Sequence, residues 1–380
     1  MKNKISYFEG LNALRFLAAF FVVLMHIRAS QISMDMEYIL PAWPIFLKGK
    51  IAVNFFFVLS GFLITYILLK EQDLRNTISI KKFYLKRVFR IWPLYFIIVV
   101  FGLFFFWYLA PKLGFNFEVT YNKFLAVFLY IFFGANLMSS LYKVGGILNV
   151  LWSIAVEEQF YLFWAPLFKY LKNHLLIMFI SVFLISYSVN VLNGMNYFEL
   201  SPGYQSFIGK LLFHYMAIGA IFAYFVFYHE KRFVSMWCFS KTFFQIILFI
   251  LVLGYMVLFQ RTQSLNNIET IFSGVMFGWL IVNVSVNPKR LINLESPILN
   301  YLGKISYGIY MYHSIAIYIV SFIFIKYLGN YQNFHLLSIS LVLGLTILFA
   351  STSYFLLERK ILEKGKLIIT KQELKKENVT

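Results

Sequence analysis

An arginine and a histidine inside one apolar run are the first chemistry this sequence offers. The run is LNALRFLAAFFVVLMHI, residues 11–27, and the pair is Arg15 and His26. A guanidinium can hold a phosphate through two parallel hydrogen bonds. An imidazole can serve as a base near neutral pH. Eleven helical steps of about 100° end roughly 20° past three full turns, so both side chains point the same way. The rise between them is about 16 Å, roughly half the hydrocarbon thickness of a bilayer. A charged side chain at that depth costs about 2.5–3.5 kcal/mol and usually faces a protein interior or a water-filled cavity. The bland reading is an arginine snorkelling to one membrane face and a histidine at the other end.

Four more stretches carry polar groups where apolar ones are expected. In NFFFVLSGF, Ser60-Gly61 permits close helix packing or the approach of a ligand, and packing is the commoner use. In FYLKRVFRIWPLYF, residues 83–96, Arg87 and Arg90 are three apart and neighbours on a helix surface. They read either as a basic flank that sets topology or as a clamp for an anionic cytoplasmic ligand such as a nucleotide phosphate. In LWSIAVEEQFYLFWAP, residues 151–166, Glu157 and Glu158 point about 100° apart and cannot face one site equally. One can pair with an arginine while the other acts as acid/base or receives a sugar hydroxyl. In LGKISYGIYMYH, residues 302–313, Ser306, Tyr307 and Tyr310 read as structural, and His313 is equally a core or a functional histidine. His174, His214, His229 and His335 stand near segment ends and are expected at the interface. No cluster has metal-ligand spacing, and no P-loop or dinucleotide glycine fingerprint occurs.

The elements that must position these groups are membrane helices. Of 380 residues 61% are hydrophobic and only 13% charged, against about 25% charged in soluble domains. Eleven apolar runs recur, at about 8–28, 50–69, 91–110, 124–141, 151–170, 174–193, 206–228, 242–260, 267–286, 305–327 and 335–357. The expected fold is an all-α polytopic bundle: one membrane domain, residues 1–358, and a basic tail, 359–380. The net charge of +18 fits Lys- and Arg-rich cytoplasmic loops better than nucleic-acid binding. The loop 70–90, the basic groups near 231, 289 and 304, and both termini then lie in the cytoplasm. About ten crossings satisfy all of them if one run does not span. The run 124–141, with Gly134 and Asn136 inside it, is the favoured re-entrant segment, and 151–170 is the alternative. Lys2 and Lys4 before the first run resemble a signal peptide, but Arg15 within it and the spans that follow favour an uncleaved helix. The single cysteine, Cys238, can form no disulfide within the chain.

These stretches, in this order, resemble the acyltransferase 3 family of bacterial membrane-bound O-acyltransferases over roughly residues 7–358. The marks are LNALRFLAAFFVVLMH with Arg15 and His26, FFFVLSGFLI with Ser60 and Gly61, YLKRVFRIWPLY with Arg87, Arg90 and Pro93, LWSIAVEEQFYL with Trp152, Ser153, Glu157 and Glu158, and LGKISYGIYMYH with Tyr307 and His313. The resemblance implies transfer of an acyl group, usually acetyl, from cytoplasmic acyl-CoA to a hydroxyl of a cell-envelope glycan. Such a glycan would be O-antigen, capsule, exopolysaccharide, peptidoglycan or a lipid-linked sugar. It implies a bacterial inner or plasma membrane, acetyl-CoA as co-substrate, no permanently bound cofactor, and action alone or with a separate extracytoplasmic partner. It departs from the family pattern at Leu357-Glu358-Arg359-Lys360, where an acidic residue is often followed by proline, so Glu358 receives no role.

On that basis His26 is expected as base or transient acyl carrier, Arg15, Arg87 and Arg90 as donor-phosphate ligands, and Glu157 or Glu158 as the group orienting the imidazole or the acceptor hydroxyl. The rivals are a transporter or flippase for a glycan or small carboxylate, and a structural membrane subunit.

Overall fold

The computed structural model describes residues 4–33, 49–115, 117–257, 266–328 and 335–377. The polar residues Asp35, Glu37, Pro41 and Pro44 of the first loop lie outside them. Among the described residues the regular structure is all helical. In order it forms α1 (Leu11–Ser33), α2 (Gly49–Arg75), α3 (Ile80–Phe104), α4 (Ala110–Lys112), α5 (Lys123–Ile131), α6 (Ala135–Leu141), α7 (Gly146–Asn149), α8 (Trp152–Tyr170) and α9 (Leu175–Gly194). There follow α10 (Pro202–Gly209), α11 (Phe213–Val234), α12 (Trp237–Ser240), α13 (Thr242–Val257), α14 (Asn266–Ser285), α15 (Pro297–Lys304), α16 (Ser306–Ile323), α17 (His335–Ser353) and α18 (Arg359–Glu377). Among the described residues eight helical stretches are long and apolar enough to cross a membrane. The chain is a polytopic helical membrane protein. The ten crossings expected from sequence include two more. Thr242–Met256 is apolar but shorter. The 19-residue α8 would reach about 28 Å but carries Glu157, Glu158 and Lys169.

Packing divides the chain into two compact units, where the sequence suggests one membrane domain. The first comprises Met1–Ile78 and Tyr170–Ser306, the second Ser79–Lys169 and Tyr307–Thr380.

In the first unit α2 packs on α1, α11 and α14. A Cβ on Gly61 would stand 1.9 Å from the Met216 carbonyl oxygen, and one on Gly219 would stand 2.0 Å from that of Val58. Only glycine on each helix allows backbones that close. Gly61 is therefore a packing glycine. Helices α1 and α2 run antiparallel. At one end the Ile5 N–H donates to Tyr66 Oη at 3.0 Å and Lys70 Nζ donates to the Ile5 carbonyl at 3.4 Å. At the other end Gly49 lies against Met25. Gly303, from the fifth motif, lets α15 meet α1 at the Asn12 carbonyl.

In the second unit α3 begins after Ser79, whose hydroxyl accepts the Lys82 N–H. The expected basic loop 70–90 is mostly helix, because α2 continues to Arg75 and α3 starts at Ile80. Arg87 and Arg90 thus sit on α3, with Pro93 inside the same helix. The run 124–141 is broken into α5 and α6, of 9 and 7 residues, with Phe133 at φ +55° between them. Each would span only about 10–14 Å. The break is held by α8: Gln159 Nε2 donates to the Phe133 carbonyl at 2.9 Å, and the Gln159 and Asn136 amides exchange two hydrogen bonds at 3.0 Å. Residues 359–377, expected as a polar tail, form α18, which packs on α3 where Gly365 admits the Phe89 ring. A π-helical turn, Tyr354–Glu358, joins α17 to it.

Candidate functional site

Helix α1 carries both residues of the opening pair. Arg15 and His26 are each half-buried on this continuous helix, as the spacing requires. His26 Nδ1 lies 3.0 Å from the Val22 carbonyl oxygen, one turn back. A carbonyl only accepts, so Nδ1 carries the proton and Nε2 is the basic nitrogen of the neutral ring. Arg15 Nη1 donates to Asn12 Oδ1 at 3.5 Å, and Asn12 Nδ2 donates to Asn300 Oδ1 at 3.4 Å. Beside them Glu295 accepts from the Gly10 N–H and from Tyr7 Oη, each at 2.9 Å, and from Asn300, while Arg290 pairs with Glu9. Partial burial pushes the Glu295 carboxyl up. The donated hydrogen bonds and the Arg290 charge outweigh it and leave the group below the usual carboxylate range. Sequence gave this cluster no prominence, because its members are common residues from two distant segments.

The first unit also contains a polar chain that sequence reasoning missed. Asn54 Nδ2 donates to Tyr215 Oη at 3.1 Å, and Tyr215 Oη lies 3.0 Å from Ser273 Oγ. Ser273 Oγ donates to the Glu269 carbonyl at 2.7 Å, and Tyr255 Oη donates to the Glu269 carboxylate at 2.7 Å. The available signal was an acid inside the apolar run 267–286. His214, expected at the interface, is 1% exposed, with Nδ1 3.2 Å from Ser186 Oγ. Burial of the start of α11 against α9 explains the difference. His174 and His229 are exposed, and the His335 side chain lies outside the described residues.

The second unit collects the arginines and glutamates. Arg87 is half-buried between the rings of Phe83 and Tyr161, at 5.6 and 5.4 Å from their centroids, a cation–π arrangement. Arg90 is exposed, within electrostatic range of Arg87 and Glu157. Glu157 accepts from Tyr161 Oη at 2.8 Å, and Glu158 accepts from Trp92 Nε1 at 2.9 Å. The adjacent carboxylates therefore serve different neighbours, as their angular separation demands. Arg87 Nε and Glu158 Oε1 are buried without a hydrogen-bond partner among the described residues. Glu358, at the end of the π-helical turn, accepts from Ser353 Oγ at 3.1 Å and feels the charge of Arg90. The sequence left it without a role because the proline expected after it is absent.

Other candidates are held by contacts between and within helices. Ser153 Oγ lies 2.7 Å from Tyr310 Oη, which donates to the Val150 carbonyl at 2.9 Å, a buried latch between α8 and α16. Tyr307 Oη donates to the Ile91 carbonyl at 2.9 Å. His313 is fully buried, its Nδ1 2.6 Å from the Tyr310 carbonyl and its Nε2 3.3 Å from Ser314 Oγ. It is a hydrogen-bonded core histidine. Ser60 and Trp152 are half-buried on α2 and α8.

An α-helical membrane chain with a histidine on its first span is the class that fold and side chains define. The chain belongs to the acyltransferase 3 family, whose acyltransferase-domain model matches residues 8–357. It is 26% identical over 390 residues to the O-acetyltransferase OatA of Staphylococcus aureus, covering 94% of this chain and 58% of that protein. It is 25% identical over 387 residues to a protein of Staphylococcus aureus strain COL named provisionally as an O-acetyltransferase, covering 96% and 58%. It is 32% identical over 133 residues to the peptidoglycan O-acetyltransferase OatA of Listeria monocytogenes, covering 33% and 21%. The chain thus spans somewhat over half the length of the curated relatives it matches along its whole extent. No solved structure matches it.

Proposed function

We propose that the chain transfers an acyl group, acetyl in the first instance, from acyl-CoA to a hydroxyl of a cell-envelope glycan. The observation that carries the reading is His26: a half-buried imidazole on α1 whose Nδ1 proton is committed to the Val22 carbonyl. That arrangement fixes the tautomer in which Nε2 can take a proton. Family membership supports the reaction class. The names of the Listeria and Staphylococcus relatives support an acetyl group, and the Listeria name supports a peptidoglycan acceptor.

In this reading Nε2 removes the proton of the acceptor hydroxyl as its oxygen attacks the thioester carbonyl. The tetrahedral adduct collapses with cleavage of the C–S bond. The imidazolium returns its proton to the departing thiolate, giving the ester and free CoA. An acyl group carried transiently on Nε2 would instead give ping-pong kinetics, which initial-rate patterns distinguish. Arg87 and Arg90 take the donor's phosphates, with Glu157 and Glu158 holding the surrounding side chains. The buried Arg87 Nε, without a hydrogen-bond partner among the described residues, supports that assignment. The chain ends of the family's bundle are assigned to the cytoplasm on the Lys and Arg excess.

The test is His26→Ala in cells and in purified membranes. Membrane abundance is expected to stay normal while ester-linked acetyl on envelope glycans, read by mass spectrometry, disappears. Wild-type acetylation by that variant would overturn the reading.

A further inference from the structure

One face of α3 changes character along its length. Phe89, Pro93, Ile97, Val100 and Phe104 fall on a single helical stripe. From Pro93 to Phe104 that stripe is the floor of an open groove of about 490 Å³, with Phe96 and Phe101 on its two sides. Every residue lining it is apolar. The walls are fixed by ring contacts. Phe96 lies 6.0 Å from the rings of Trp92 and Phe133, and Phe101 stacks on Phe105 at 6.1 Å. Ile97, Val100 and Phe104 of the floor are exposed, on a stretch long and apolar enough to cross a membrane. Eleven helical steps from Pro93 to Phe104 rise about 16 Å, the hydrocarbon depth of one leaflet.

Bases gather at one end of this groove. Phe89, one turn before Pro93, meets α18 at Gly365. Gly365 and Ile369 of α18 are buried, whereas Arg359, Lys360, Lys364, Lys366 and Lys371 are exposed. Among the described side chains of α18 the one acid is Glu363, and it pairs with Arg359 at 2.9 Å. Lys364 and Lys366 flank the Gly365 contact, so they stand at the head of the groove. Leu367 and Ile368 are exposed beside them. A basic segment next to a span attracts anionic headgroups, each base strengthening binding about fivefold. An ordinary lipid-facing surface takes any headgroup. Here a groove one leaflet deep ends under lysines, the complement of a hydrocarbon tail with an anionic head. Two copies of the chain in one membrane share an orientation, so a second copy would set the same lysines against these.

We propose that this groove binds one anionic phospholipid, its acyl chain along Pro93–Phe104 and its phosphate at Lys364 and Lys366. The site lies wholly within the second unit. It does not depend on the acyl-transfer reading of His26.

The experiment titrates the full chain, delipidated in detergent, with phosphatidylglycerol or with phosphatidylcholine of the same chain length. Native mass spectrometry counts the retained lipid. Phosphatidylglycerol is expected to bind once per chain, about tenfold more tightly than phosphatidylcholine. The double variant Lys364→Gln, Lys366→Gln is expected to weaken phosphatidylglycerol about tenfold and to leave phosphatidylcholine unchanged. Val100→Trp fills the groove floor at a position that is 68% exposed, and it is expected to weaken both lipids alike. Phosphatidylglycerol with a photoreactive diazirine on its acyl chain is expected to label the peptide holding residues 93–104. Equal affinity of the wild type for the two lipids, wild-type phosphatidylglycerol affinity in the lysine variant, or labelling that spares residues 93–104 would overturn the proposal. So would a lipid-free dimer that Val100→Trp reduces to a monomer, since the occupant would then be a second copy. If the lysine variant does not fold, salt carries the test. At about 1 M salt, where screening leaves a range of about 3 Å, the wild type should lose its preference for phosphatidylglycerol, and a preference that survives overturns the proposal.

Discussion

The two units handle buried polarity in different ways. In the first, polar side chains form relays between helices: Asn54 to Tyr215 to Ser273, and Tyr255 to Glu269. The first of these is built of neutral hydroxyl and amide links, and the second ends on a carboxylate; such bonds are worth about 1 kcal/mol net or somewhat more, and are costly to leave unmade. Glycine contacts at Gly61 and Gly219 hold the helices around them. In the second, full charges gather: Arg87, Arg90, Glu157, Glu158 and Glu358, with Trp92, Tyr161 and Ser353 supplying hydrogen bonds. The contrast teaches that hydroxyl relays offer paired donors and acceptors, the chemistry by which neutral polyols are bound. A charged cluster with an unsatisfied guanidinium nitrogen suits an anionic ligand.

Substitutions can break or sharpen that contrast. The largest effect is expected from His26→Ala, with transfer falling at least about a hundredfold, the scale of lost general base catalysis. Steady-state transfer in membranes of matched protein content measures it. Next is Gly61→Ala. The added methyl meets the Met216 carbonyl, and backbone cannot yield as a side chain can. A loss of about 3 kcal/mol, at the upper end of overpacking costs, is expected in reversible unfolding in detergent. A variant as stable as wild type would show that the interhelical contact is looser than the geometry states.

Arg87→Ala should raise the KM for acyl-CoA about tenfold, from loss of a charge-assisted hydrogen bond of about 1.5–3 kcal/mol, and leave the glycan KM alone. A rise in glycan KM instead would reverse the assignment of the two units. A smaller effect should appear in a double-mutant cycle of Glu158→Ala and Trp92→Phe. Coupling of about 1 kcal/mol in unfolding is expected from their 2.9 Å hydrogen bond. Additive losses would mean that the contact contributes nothing.

The smallest effect concerns Glu295. Its carboxyl is lowered by the bonds it accepts from Gly10, Asn300 and Tyr7. A lowered group contributes stability that is fully present above the ordinary glutamate value of about 4.3 and is lost as pH falls through the lowered one. Wild type and Glu295→Gln should therefore differ in thermal midpoint at pH 6 and converge as the pH falls through the lowered value. A difference that survives full protonation of the carboxyl would assign the effect to packing.

Much of this was legible in the primary structure. The bundle was, because runs near twenty apolar residues leave no other economical backbone arrangement in lipid. So was the Arg15–His26 stripe, since one unbroken helix makes residue spacing a direction. The break near Gly134 and Asn136 was visible as a gap in periodicity, although not its clamp by Gln159. The role of His313 was not legible. The same histidine could line a cavity or sit in a core, and only the fold brings it into contact with the Tyr310 carbonyl and Ser314. The spacing of Arg87 and Arg90 fitted a helix surface, but the start of that helix within the basic stretch 70–90 was not legible, because basic flanks and helix starts have the same composition.

What the sequence determined by itself, then, was membrane helices, their approximate number, the family and the residues on α1. These follow from local hydrophobic pattern and ordered motifs, which need no knowledge of neighbours. The tertiary structure alone decided which polar groups meet. Division into two units, the packing role of Gly61, the separate partners of Glu157 and Glu158, and the bond from Tyr255 to Glu269 all depend on how helices pack. Their side chains are matched by packing geometry, which no single segment encodes.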